Sequence, residues 1–239
     1  MKKIVALLIC IISLCGETFA AETYISNVYG RQYESLNGKW NAIVDLYERG
    51  EEMKLYLNQT PQGKSDFYEY AFDGGLRLNV PGDWNSQSSE LKYFEGSVWY
   101  ARHFHLHALD AKRRFLYFAG VSYRCNVYLN GKKIGEHEGS FTPFQIEVTD
   151  ALVQGDNTLV VEVNNRRQKS AIPALSFDWW NYGGITRDVM LVTLPKQYIS
   201  DYFVQLDKHR ADLVHVKVFL SEGVANQDVC CLLYTSDAA

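Results

Sequence analysis

The chain has 239 residues and a formal net charge of −4, with 14% aromatic residues, 22% charged residues and five cysteines. That charge gives no basic footprint for nucleic acid. The length suits one large β domain, or one domain with part of another.

Residues 1–20 carry Lys2 and Lys3 ahead of an apolar run at 4–14, then small residues at Thr18 and Ala20. The run is too short to span a bilayer, and the pattern predicts a secretory signal peptide cleaved before Ala21. Lipidation at Cys15 is the alternative, disfavoured by Leu14 ahead of it. Either way the mature chain leaves the cytoplasm, into a periplasm or the exterior. Cys125, Cys230 and Cys231 then remain. An odd count with one adjacent pair is no disulfide framework, and no Cys/His spacing suits zinc.

Residues 21–36 read as an irregular lead-in. Asn37-Gly38 is a turn signal, and the alternation after it predicts a strand over residues 39–45. The charged stretch 48–64 fits a short helix or an excursion loop. "LRLNVPGDWN" is a strand end entering a turn made by Pro81 and Gly82. From Ser97 onward, "VWYARHFHLHAL", "RRFLYFAGV", "RCNVYL", "KKIGEHEG", "FQIEV", "TLVVEVNN" and "DVMLVTL" are strand-like. Asn130-Gly131 is the strongest hairpin signal, since both residues tolerate the positive φ of a type I′ turn. After Pro195, "YISDYFVQLD" and "LVHVKVFLSE" predict a fresh pair of strands. Many short strands with little helix predict a β-sandwich. The stretch from about Gln227 lacks the turn chemistry of what precedes it. Two strands alone cannot bury a core, so a truncated second sandwich is expected.

The thirteen residues "FDWWNYGGITRDV" at 177–189 hold two tryptophans, a tyrosine and two glycines. In order along the chain stand "LNVPGDWN" (78–85), "GSVWYARHF" (96–104), "VYLNGKKIGEHEGSFTPFQIEVTDAL" (127–152), "GDNTLVVEVNNR" (155–166) and "DWWNYGGITRDVMLVTLP" (178–195). In order and spacing these resemble the N-terminal sugar-binding domain of glycoside hydrolase family 2, the β-galactosidase and β-glucuronidase family. The resemblance covers about residues 36–195, with the start of the family's next domain after it.

The resemblance implies an all-β chain. A jelly-roll, galactose-binding-like β-sandwich at 21–195 would be followed by a truncated immunoglobulin-like sandwich at 196–239. It implies a retaining exo-glycosidase whose two glutamates, about 5–5.5 Å apart, lie on a TIM barrel. No catalytic residue is then expected in this chain, and the missing barrel is its expected partner, with a carbohydrate as substrate. A non-catalytic carbohydrate-binding or structural module is the alternative.

Asp178 is the one substrate-binding residue the resemblance carries over, as a carboxylate accepting hydrogen bonds from a terminal sugar. A turn aspartate bonding its own backbone is the bland alternative. For Trp179 and Trp180, core or interdomain packing is favoured over sugar stacking. Gly183 and Gly184 are expected to permit positive φ or close backbone approach. Arg187 and Asp188 read as structural. Asp83 or Asn85 could touch sugar, but turn roles suit them better. His103, His105 and His107 would share one strand face. With Phe104 and Leu106 toward the core, that face reads as solvent-side and not as a metal site. No metal or cofactor is expected.

Overall fold

The computed structural model describes residues 25–60, 63, 71–172, 174–210 and 213–221. The signal-peptide reading, the cysteines other than Cys125 and the stretch after Gln227 lie outside these residues.

The strands in chain order are β1 (Gln32–Ser35), β2 (Gly38–Asp45), β3 (Leu76–Val80), β4 (Ser97–Leu106), β5 (Arg113–Phe118), β6 (Arg124–Leu129), β7 (Lys132–Glu138), β8 (Phe144–Glu147), β9 (Gly155–Asn164), β10 (Val189–Leu194), β11 (Ile199–Leu206) and β12 (Val214–Leu220). One short helix, α1 (Trp84–Gln87), follows β3. One sheet has the order β1-β10-β5-β8 and a second the order β3-β2-β4-β9-β6-β7, all antiparallel. The chain passes repeatedly from one sheet to the other, which is jelly-roll connectivity in a β-sandwich. Among the described residues, β11 and β12 pair only with each other.

Alternation along the strands fills the space between the sheets. Val98, Tyr100, Phe104 and Leu106 of β4 meet Leu116 and Phe118 of β5 and Val189 and Leu191 of β10 in one buried cluster. His103 and His105 face outward from β4, as the alternation requires. The outer faces are covered too. Trp99, Ala101 and Val160 lie beneath Leu55 and Phe72 of the excursion after β2. Phe115, Met190 and Val192 lie beneath Ile25, Val28 and Tyr198. Double burial explains the unbroken apolar stretch at 98–101, where a one-sided sheet would show polar residues.

The Asn130-Gly131 turn has φ of 52° and 79°, with Leu129 opposite Lys132, so the hairpin forms where expected. The described part of the excursion contains a 3-10 turn, Leu55–Leu57. Asp45 ties it down by accepting from the backbone N–H of Arg49 at 3.0 Å and of Gly50 at 2.6 Å, and from the Trp99 indole at 3.2 Å.

The lead-in reading needs correction at Gln32–Ser35. These residues form β1 at the sheet edge, in register with residues 190–193 of β10. Gln-Tyr-Glu-Ser buries nothing, so no hydrophobic period marks it; the backbone pairing alone makes it a strand.

Candidate functional site

The aromatic segment before β10 is held by three loops of the sandwich. Gly82 N–H donates to the Ile185 carbonyl at 2.8 Å and Trp84 N–H to the Gly183 carbonyl at 2.9 Å. Ser122 and Gly184 exchange backbone hydrogen bonds at 2.9 and 3.0 Å. The Ser122 hydroxyl donates to the Tyr182 carbonyl at 2.7 Å.

Three buried asparagines complete the attachment. The Asn85 side-chain oxygen accepts from Gly183 N–H at 2.9 Å, while its amide nitrogen donates to the Leu91 carbonyl at 2.9 Å. Asn165 donates to the Asn181 carbonyl at 2.9 Å and accepts from Gly96 N–H at 3.0 Å. Asn181 returns a bond to the Asn165 carbonyl. Buried, hydrogen-bonded amides fix a loop without apolar packing.

The two glycines have separate reasons. A Cβ on Gly183 would run into the Trp84 ring, and Trp84 is fully buried. Gly184 has φ of 137°, and its Cβ would lie 2.7 Å from the Gly82 carbonyl oxygen. Beneath this crossing, burial and then the Asp83 charge push the Tyr100 phenol far above its ordinary range, so it stays protonated.

Above this base the segment is exposed. Asp178 is exposed between Phe177 and Trp179, whose rings lie 4.3 Å apart. Trp179 is 52% exposed and Trp180 39%, so neither is a core residue of this domain. The core part of the earlier expectation is thereby corrected: hydrogen bonding of residues 181–185 to the sandwich leaves residues 177–180 projecting beyond it. The Trp180 ring lies 5.1 Å from that of Tyr93 and 6.3 Å from that of Tyr182. An open hollow of ≈ 640 Å³ is walled by Phe141, Trp179, Trp180 and Tyr182, with Ser122 and Arg187 adding polar groups. A smaller one of ≈ 100 Å³ lies against Trp180 as well, with Lys92, Tyr93, Glu95 and Arg167. Arg167 joins Glu95 at 3.0 Å and donates to the Phe177 carbonyl at 3.2 Å, so the projecting turn is braced by an ion pair.

The remaining expected residues resolve by their bonds. Asp83 caps α1 through Ser86 N–H at 2.7 Å, a turn role. Asp188 accepts from Asn37 at 2.9 Å and from the Tyr29 hydroxyl at 3.1 Å, a structural role. The Arg187 stem lies across Gly120, with its head at the hollow's edge. His103 is bonded to Thr158 at 3.0 Å and His105 to Asp156 at 2.7 Å on the exposed face. No group of three or more His, Cys, Asp or Glu among the described residues is placed to hold a metal ion.

Another concavity, of ≈ 580 Å³, lies on the outer face of β6, β7 and β9. There Glu162 accepts from Ser97 and Asn126, and Glu136 pairs with Lys133. It has the polar lining of a solvated sheet face and lacks the exposed rings of the first hollow.

Tyr93 and Asn165 are site residues that the sequence reading passed over. Tyr93 is 87 positions from Trp180 and reaches it only through the fold. Asn165 ends an alternating strand and looks like turn chemistry. Nothing local marks either residue.

The arrangement presents a carboxylate beside aromatic faces with a hydrogen-bonding rim. Aromatic rings offer an apolar surface, and charged groups bond hydroxyls strongly. That combination suits a carbohydrate.

Comparison with known proteins agrees. The family described as glycosyl hydrolases family 2, sugar binding domain, matches residues 33–195. A β-galactosidase of Streptococcus thermophilus is 33% identical over 199 residues, covering 73% of this chain and 18% of that protein. A β-glucuronidase of Rattus norvegicus is 29% identical over 213 residues, covering 75% of this chain and 31% of that protein. The solved structure of a β-glucuronidase from an uncultured Clostridium superposes with a TM-score of 0.69 at 32% identity, covering 80% of this chain and 34% of that one. The chain therefore spans less than a third of the curated relatives named here.

Proposed function

Because the chain belongs to glycoside hydrolase family 2, we propose that it is the sugar-recognising N-terminal part of a retaining exo-β-glycosidase. The enzyme removes a terminal β-linked galactosyl or glucuronosyl residue. The observation that carries this reading is Asp178, exposed among Phe177, Trp179 and Trp180 on a turn that the sandwich holds from beneath.

In this reading the two catalytic carboxylates come from a barrel domain. One attacks the anomeric carbon; the other protonates the leaving oxygen and then activates water. The domain described here performs neither step. Asp178 accepts hydrogen bonds from hydroxyls of the terminal sugar and fixes its position against the barrel. The exposed rings of residues 177–182 exclude water around it and close the site against the barrel face. The Asn85, Asn165 and Asn181 amides hold residues 181–183, and Arg167 holds the Phe177 carbonyl beside Asp178, so the turn carrying the carboxylate is braced before the sugar arrives. Residues 1–20 support export, so the enzyme acts in a periplasm or outside the cell.

The test is a panel of nitrophenyl glycosides offered to the barrel-containing enzyme. Turnover of the β-galactoside or β-glucuronide, with retention at the anomeric carbon by NMR, is expected. Absence of both activities, or inversion, would refute the reading.

A further inference from the structure

His103, His105 and His107 stand at alternate positions along β4 and the residue after it, all exposed on one face. Their bonds separate them. His103 has both ring nitrogens engaged, Nδ1 with the Thr158 hydroxyl at 3.0 Å and Nε2 with the Asn58 amide at 3.2 Å. His105 lies opposite Asp156 in the β4–β9 register, and its Nδ1 meets the Asp156 carboxylate at 2.7 Å. An ionised carboxylate only accepts, so in the neutral imidazole the proton sits on Nδ1 and the Nε2 lone pair is left available. The His107 ring has no hydrogen bond among the described residues and meets the His105 ring edge-on, centres 5.0 Å apart.

We propose that His105 and His107 form a two-imidazole chelate for a late first-row divalent cation, Zn2+, Ni2+ or Cu2+, with Asp156 as its positioning carboxylate. Imidazole nitrogen suits these ions, whereas Mg2+ and Ca2+ call for oxygen ligands. Two imidazoles sharing one ion at about 2.0–2.1 Å per nitrogen hold their ring centres about 4.5–5.2 Å apart, for ligand angles from square-planar to tetrahedral. The separation of 5.0 Å falls inside that interval. A carboxylate on the other ring nitrogen is the usual support of a metal-binding histidine, since it fixes the tautomer and raises the basicity of the ligating nitrogen. No third His, Cys, Asp or Glu closes the site among the described residues, so the ion keeps open positions for water or an outside ligand. The pair lies at the end of β4 away from Gly96 and the aromatic turn, about 30 Å along a strand of ten residues. The proposal does not rest on the carbohydrate reading.

The experiment titrates the 239-residue chain with Zn2+ and follows the imidazole nitrogens by 1H–15N NMR, which separates histidine ligation from binding to thiols. The His105 and His107 signals should move together while those of His103 stay in place. His105→Ala and His107→Ala should each weaken binding, read on the remaining ring, by at least about tenfold. Asp156→Ala should weaken it by about tenfold or more. His103→Ala should leave the affinity unchanged. All four side chains are exposed, and an unchanged Tm without metal verifies folding. Stationary His105 and His107 signals at millimolar Zn2+, a response of one ring without the other, or an affinity that survives His107→Ala would overturn the proposal and leave the ring pair as edge-to-face packing alone.

Discussion

Asn165 and Asn181 hold each other by the backbone: each side-chain amide donates to the other's carbonyl oxygen. The end of β9 and the start of the aromatic turn are thereby locked together, and Asn165 also accepts from Gly96 ahead of β4. Three chain segments far apart in sequence meet at one pair of amides.

Asn165→Ala would orphan two buried groups, the Asn181 carbonyl and the Gly96 N–H. At about 1–3 kcal/mol for each unsatisfied group, the loss should be at least about 2 kcal/mol. Asn181→Ala orphans only the Asn165 carbonyl and should cost roughly half as much. Urea unfolding of the two variants checks the order; equal or negligible losses would show that the pair does not hold the turn.

Gly183→Ala places a methyl group in the Trp84 ring. Trp84 cannot yield, being fully buried, so overpacking of about 1–3 kcal/mol is expected. The check is a lowered urea midpoint with unchanged slope, accompanied by a shift in the near-UV signal of the buried indole.

Arg113 grips Glu147 with two bonds, at 2.9 and 2.6 Å, joining β5 to β8. The Arg113 hydrogen bond is the main cause that holds the Glu147 carboxyl below its ordinary value. A carboxyl whose pKa is lower folded than unfolded adds stability above its unfolded pKa of about 4.3, and that stability is lost as pH falls through the folded value. Glu147 is 41% exposed, so solvent screening keeps the effect below about 1 kcal/mol. Glu147→Gln should flatten this part of the acid limb of a stability–pH curve and leave no pH-dependent change between pH 6 and 8. An unchanged acid limb would contradict it.

Asp178→Ala in the intact glycosidase should lower kcat/KM by about 10–200-fold, the kinetic equivalent of losing a charged hydrogen bond of 1.5–3 kcal/mol. Asp178 is exposed, so Tm should stay within about a degree. Unchanged kinetics in the folded variant would remove Asp178 from the site.

Much of the fold was readable because double burial writes long apolar runs. The strand expected at 39–45 is observed as Gly38–Asp45, and the Asn130-Gly131 turn falls where its φ requirement put it. Edge strand β1 was not readable, because a strand paired through its backbone alone needs no apolar side chains. In the candidate site, the close approach at Gly183 and the positive φ of Gly184 were foreseeable from the glycines themselves. The exposure of Trp179 and Trp180 was not, because tryptophan at a loop fits a core and a surface equally well.

By itself the sequence determined the fold class and the family resemblance, and it singled out residues 177–189. Periodicity, turn chemistry and motif order are local properties, and they survive without coordinates. Tertiary structure alone decided which distant residues meet the aromatic segment. Tyr93 reaches Trp180 across 87 positions, and Asn165 reaches Asn181 and Gly96 at once. Such contacts depend on the crossing of loops between two sheets, and no periodicity along the chain encodes a distance between loops.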